Sequence, residues 1–171
     1  MVELQLFTDG SVNAQTKVGY GACLAVFDGG GALEVLRSRV KVRRFERTSS
    51  TKLELQTLLW ALDGIRPFAG RVVVYTDSQN IMTLQARRGR YEKSGFRSKK
   101  QRQINHYLLY QAFYHVVDQL NCTFIKVRGH LPSSQKDTVD QLFSFVDRAS
   151  REALRADRSA GHLSDLQMGR D

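Results

Sequence analysis

Cysteine is scarce: Cys23 and Cys122 are the only two in 171 residues, and both sit in apolar contexts. Two cysteines make neither a disulfide framework nor a zinc pattern, so each is expected to be a small buried hydrophobe. No apolar run approaches the ~18–20 residues that a membrane-crossing helix needs. The opening MVELQLFTDG has no basic start, no long apolar stretch and no small-residue cleavage site, so no export signal is expected and the cytoplasm is the expected compartment. Acid is in deficit, with 17 Asp and Glu against 26 Lys and Arg, a net charge of +9. Such an excess permits a polyanionic partner without requiring one. Its distribution says more. RRGRYEKSGFRSKKQR, Arg87 to Arg102, holds eight basic residues and one acid, Glu92.

What is present reads as one domain over 1–157, large enough for a core, followed by an aperiodic and flexible tail over 158–171. Val2, Leu4 and Leu6 alternate with polar residues and predict a first strand ending at Thr8-Asp9-Gly10-Ser11. Gly19–Asp28 predicts a second strand and Leu33–Phe45 a third, joined through Gly29-Gly30-Gly31 as an antiparallel hairpin. Thr48-Ser49-Ser50-Thr51 opens a helix, with Glu54 at capping-box spacing from Thr51. Leu55, Leu58, Leu59, Leu62 and Ile65 form its stripe, Trp60 is expected in the core, and Pro67 bars continuation. Val72–Tyr75 is a short central strand, and Ser78–Ala86 a helix. Gln103–Leu120 is again helical, Cys122–Val127 a fifth strand, and Lys136–Ala156 a last helix. This order implies an α/β fold: a five-stranded mixed sheet, its first three strands antiparallel, with helices packed on both faces.

Three acids stand at related places. Asp9 ends the first strand, Asp77 ends the fourth in VVVYTDSQN, and Glu54 lies in the first turn of the helix between them. If the first and fourth strands run parallel and adjacent, Asp9 and Asp77 emerge at one edge, where such sheets bind ligands. Singly, each acid has a structural alternative as a helix cap. Together they repel and raise one another's pKa, a cost that a divalent cation removes. Hard cations such as Mg²⁺ take carboxylate oxygens together with substrate phosphate, and a pair of them suits phosphodiester cleavage.

TDGS at 8–11, KLELQTLLWAL at 52–62, YTDSQNI at 75–81 and KVRGH at 126–130 resemble, in this order, the motifs of type 1 ribonuclease H. The resemblance covers roughly residues 2–156 and implies the ribonuclease H-like fold. It also implies a monomeric, metal-dependent endoribonuclease that cuts the RNA strand of RNA–DNA hybrids with two Mg²⁺ (or Mn²⁺) ions. Two other readings stand beside it: an inactive module that binds hybrid or double-stranded RNA, and a DNA-cutting nuclease of the same fold. By the resemblance, Asp9, Glu54 and Asp77 are catalytic metal ligands. The fourth is Asp147, by the likeness of VDRASREAL at 146–154 to the family's last helix, or Asp140, by gapless counting from His130. His130 takes the place of a proton shuttle or product-release group, for which an imidazole is suited. The basic segment matches the family's substrate-binding protrusion in position, with Lys99 and Lys100 expected on DNA-strand phosphates. Ser11, Ser50, Thr51 and Gln79, beside the acids, are expected to contact the substrate's sugars and bases. The family often carries tryptophans in the protrusion and asparagines near Ser50 and Thr51, where this chain does not.

Overall fold

The computed structural model describes residues 2–27, 30–128, 132, 134 and 137–168, and for 162–168 the backbone alone. Its elements are β1 (Glu3–Asn13), β2 (Val18–Phe27), α1 (Leu33–Ser38), β3 (Lys41–Phe45), α2 (Ser50–Asp63), β4 (Arg71–Thr76), α3 (Gln79–Lys93), α4 (Tyr107–Gln119), β5 (Asn121–Lys126) and α5 (Thr138–Met168). The five strands form one sheet in the order β3-β2-β1-β4-β5. The β1–β2 and β2–β3 pairs are antiparallel, and the β1–β4 and β4–β5 pairs are parallel.

Strand periodicity divides the core in two, because alternate residues face opposite ways. Leu4 and Leu6 of β1, with Val72 and Val74 of β4, pack against Leu55, Leu58 and Leu62 of α2, Ile81 and Leu84 of α3, and Phe113 of α4. Phe7, Leu24, Val73 and Tyr75 point the other way, onto Leu36 of α1 and Leu142, Phe143 and Val146 of α5. Among the described residues no helix is long and apolar enough to cross a membrane.

Several boundaries differ from the sequence reading. Leu33–Phe45 is not one strand. Leu33–Ser38 is a helix that buries only Leu36, and the strand begins at Lys41. The α2 cap is Ser49, whose side chain accepts from the Lys52 amide, so Glu54 stands clear of any capping box. Helix α3 continues to Lys93, which puts half of the basic segment on a helix. The backbone over 158–168 is helical, where an irregular tail was expected.

Three glycines set how closely α2 approaches the sheet. A Cβ at Gly10 would lie 2.9 Å from the Leu53 side chain, at Gly19 2.7 Å from it, and at Gly21 2.1 Å from Thr57 Oγ1. They make a bare floor under the first turns of α2, which carry Glu54. Thr57 is wholly buried and cannot swing out to solvent. Gly21→Ala is therefore expected to cost about 1–3 kcal/mol, the usual range for overpacking. It should also lift Glu54 from the sheet. Denaturant melts of wild type and variant test this, and equal midpoints would mean that α2 is not pressed onto the sheet here.

Candidate active site

The pairing of β1 with β4 creates the site. Leu6 pairs with Val74 and Phe7 with Tyr75, and there the parallel ladder ends. Asp9 and Asp77 each lie two residues beyond that last pair, above stacked Phe7 and Tyr75 rings whose centroids are 4.8 Å apart. The expectation that Asp9 ends its strand is corrected: β1 runs on to Asn13 against β2. Asp9 is where β1 loses its parallel neighbour, and that is why the edge opens at this point.

Asp77 follows β4, exposed, at the turn into α3. The cap of α3 belongs to Ser78, whose Oγ accepts from the Ile81 amide at 3.2 Å. The same hydroxyl donates to Glu54 Oε2 at 2.5 Å. Ser78 thus joins α2 to α3 and orients the Glu54 carboxylate, a role the sequence reading did not assign. Its signal was visible: a serine in Asp-Ser-Gln-Asn could take the cap and release the aspartate before it.

From the opposite sheet face comes Asp147, on the side of α5 that meets β1. Burial chiefly pushes the Asp9 carboxyl up, to about 8. The charge of Asp77 adds to this, and so does Asp147, both as a charge and as a hydrogen-bond partner of the protonated acid, while the Gly10 amide opposes it. Burial also raises Glu54, against the lowering effect of the Ser78 hydrogen bond, and the Asp77 charge raises it further. Asp147 pairs with Arg151 at 2.9 Å. Asp140 is elsewhere. Its carboxylate accepts from the Asp137 amide at 3.2 Å, and Asp137 accepts from the Asp140 amide at 2.8 Å. This reciprocal pair caps the start of α5, two turns or roughly 10 Å along the axis from Asp147.

Among the described residues no three Asp, Glu, His or Cys side chains close into a preformed metal cage. The carboxylates are coupled in pairs instead: Asp9 with Asp77, Asp9 with Asp147, and Glu54 with Asp77. All are hard oxygen donors at an open edge. That set fits Mg²⁺, which keeps several waters and needs only one or two carboxylates before a phosphate arrives.

Burial of the Asp9 carboxyl, with the Asp77 and Asp147 charges beside it, is expected to lower stability at neutral pH when no cation is bound. The unfolded carboxyl ionises near its ordinary ~3.9, while the folded one is held at about 8. The unfolded chain therefore releases the proton first, and stability falls as pH rises between those values. Asp9→Asn in chelator should melt several degrees above wild type at neutral pH, with the gap closing toward pH ~4. Equal melting at neutral pH would mean that Asp9 is not crowded.

The remaining candidate residues fall as follows. Ser11, two residues along β1 from Asp9, hydrogen-bonds Ser150 at 3.1 Å, and Ser150 donates to the Asp147 carbonyl at 3.0 Å. Ser11 is thus a strut between β1 and α5. Ser50 and Thr51 are exposed on the first turn of α2. Gln79 opens α3, exposed, and its Oε1 accepts from Lys126 Nζ at 2.6 Å. His130 lies outside the described residues. Lys99 and Lys100 are exposed in a turn bridged by Arg97 and Gln103. Of the eight basic residues, Arg97 braces the turn by donating to the Gln101 carbonyl at 2.9 Å, and two more are structural. Arg87 holds Asn80 and the Tyr91 hydroxyl, and Arg88 makes a two-pronged pair with Asp118. Phe96, buried against Tyr91 and Tyr114, fixes the segment to the core.

A family model described as RNase H matches residues 2–147. Against the curated proteins the sequence has no match. Among solved structures, the PFV ribonuclease H domain is similar at a TM-score of 0.69 and 13% identity, over 88% of this chain and 93% of that one. A type 1 ribonuclease H with the type 2 active-site motif is similar at 0.65 and 19%, over 88% and 71%. A foamy viral protease–reverse transcriptase in complex with RNA/DNA hybrid is similar at 0.67 and 8%; the match covers 88% of this chain but 19% of that one. At these identities the likeness is one of fold.

Proposed function

The chain belongs to the ribonuclease H family, and on that premise we propose that it hydrolyses the RNA strand of RNA–DNA hybrids, leaving 5′-phosphate and 3′-hydroxyl ends. The observation that carries this reading is the register that sets Asp9 beside Asp77, with a half-buried Asp9 carboxyl that a cation would relieve. Asp9, Glu54, Asp77 and Asp147 would hold two Mg²⁺ or Mn²⁺ ions once substrate is bound. Bound there, the ions supply charge stabilisation for the phosphoryl oxygens and an activated water.

The chain's own groups do the rest. Ser78 fixes the Glu54 carboxylate, the i,i+4 pair with Arg151 orients Asp147 on its own helix, and the Ser11–Ser150 strut ties α5 to β1 beside it. Ser50, Thr51 and Gln79 would present donors at the mouth of the acid cluster. A 2′-hydroxyl is what such donors read to tell RNA from DNA. His130, from its KVRGH context, is assigned proton shuttling or product release.

The test offers labelled RNA–DNA hybrid, RNA duplex and DNA duplex with Mg²⁺ or Mn²⁺. Cleavage confined to the RNA strand of the hybrid is expected. Binding of hybrid without cleavage would favour an inactive module, and cleavage of DNA duplex would favour a DNA nuclease.

Lys99 and Lys100 would grip DNA-strand phosphates. Neutralising both should flatten the slope of log affinity against log salt by up to about two units, at ~0.9 per contact. The loss should fall mainly on KM rather than kcat. An unchanged slope would mean that these lysines face only solvent.

A further inference from the structure

The acid cluster lies at the β1–β4 boundary. The basic residues of α3 and the turn after it stand on the β4–β5 side. A second group of cations stands on the other side. On α5, Arg148, Arg151, Arg155 and Arg158 recur at spacings of three and four, which places them within one arc of the helix. Arg151, Arg155 and Arg158 line a shallow open depression of about 310 Å³ with Ser11 and Leu154. The depression begins at the acid cluster. Ser11 is two residues along β1 from Asp9, and Arg151 pairs with Asp147 at 2.9 Å.

This stretch of α5 is fixed in place. Ser150 is wholly buried and bonded to Ser11. Leu154 is buried. Asp157 accepts from the Tyr20 hydroxyl at 2.8 Å and pairs with Arg44 at 3.4 Å, tying the helix to β2 and β3. Arg155 and Arg158 stay exposed, and no carboxylate among the described residues pairs with them. Asp147 beside this arc is already paired with Arg151, and Asp157 on the opposite side is turned to Tyr20 and Arg44. Here the cations share one side, beside a site whose substrate is a polyanion.

We propose that Arg151, Arg155 and Arg158 form a phosphate track for the backbone of the cut strand, beyond the scissile group, on the β1–β2 side of the centre. The inference rests on the hybrid-cleaving reading above. Base-independent phosphate contacts of this kind add affinity and set register. The two basic regions would then hold the duplex on either side of the acids.

The test compares wild type with Arg155→Gln/Arg158→Gln on RNA–DNA hybrid in Mg²⁺ across a salt series. The expected result is a raised KM and a salt slope flatter by up to about two units, at ~0.9 per contact. The defect should vanish on hybrids whose RNA is shortened at one end toward the cut site, and persist when the other end is shortened. Arg155→Lys/Arg158→Lys should keep the wild-type slope, since charge rather than shape is at stake, and the single variants Arg155→Gln and Arg158→Gln, each flatter by up to about one unit, cover the case in which the glutamine pair fails to fold. If wild type cleaves hybrid and the glutamine variant keeps its slope, the track is wrong and the function stands. A defect that ignores hybrid length overturns the track as well. If wild type leaves hybrid uncut, the function and the track fall together.

Discussion

Asp77→Asn is expected to stop hybrid cleavage in a protein that still folds. The amide keeps the size of the carboxyl but loses its charge, and with it a ligand to a divalent ion. The variant is expected to fold, because Ser78 caps α3 and Asp77 itself is exposed. Removing its charge even lessens the repulsion that raises Asp9 and Glu54. Turnover should fall by at least roughly 10²–10³-fold, the scale seen when one group stabilising transition-state charge is removed. The melting temperature should hold or rise. Near wild-type hydrolysis by the folded variant would sink the metal-ligand role of this residue.

The second large effect separates two aspartates seven residues apart on one helix. Asp147→Asn should lower turnover by roughly 10²-fold or more, while Asp140→Asn should leave it near wild type. The reason is placement. Asp147 faces Asp9 across the α5–β1 contact, and Asp140 is engaged with Asp137 at the helix start. Asparagine still accepts at a cap, so Asp140→Asn should cost well under ~1 kcal/mol of stability. The reverse ranking, with both variants folded, would move the fourth acid to Asp140.

Much of this site was legible before any coordinates, for local reasons. Alternation in Val2–Leu6 and the apolar run Val72–Tyr75 mark two strands, and Asp9 and Asp77 follow these apolar stretches in the chain. What alternation could not give was the register, and register places Asp9 at the end of the parallel ladder rather than the end of its strand. Four hydroxyls in Thr48-Ser49-Ser50-Thr51 offer four possible caps, and tertiary contacts choose. Thr48 is buried and donates to Gln56 at 2.7 Å, leaving Ser49 to cap α2. Leu33 to Ser38 misleads because Leu33 and Val35 alternate as in a strand while Leu33 and Leu36 fit a helical turn, and burial of Leu36 against α5 decides the matter. The end of α5 was hidden for the opposite reason. Past Leu154 it buries no apolar residue that is described, so it has no stripe to read. The glycine floor did leave a trace. Gly19 and Gly21 alternate in VGYGAC and so share the strand face that α2 covers.

The most direct measurement follows the RNA strand of a hybrid in one reaction. Protein stripped by chelator is mixed with hybrid labelled on the RNA, and Mg²⁺ is then added in excess. No cleavage in chelator is expected, followed by cuts within the RNA that leave 5′-phosphate ends once Mg²⁺ is present. RNA cut equally in chelator, or left intact by folded, hybrid-bound protein in Mg²⁺, would contradict the assignment of Asp9, Glu54, Asp77 and Asp147 to a metal-dependent nuclease centre.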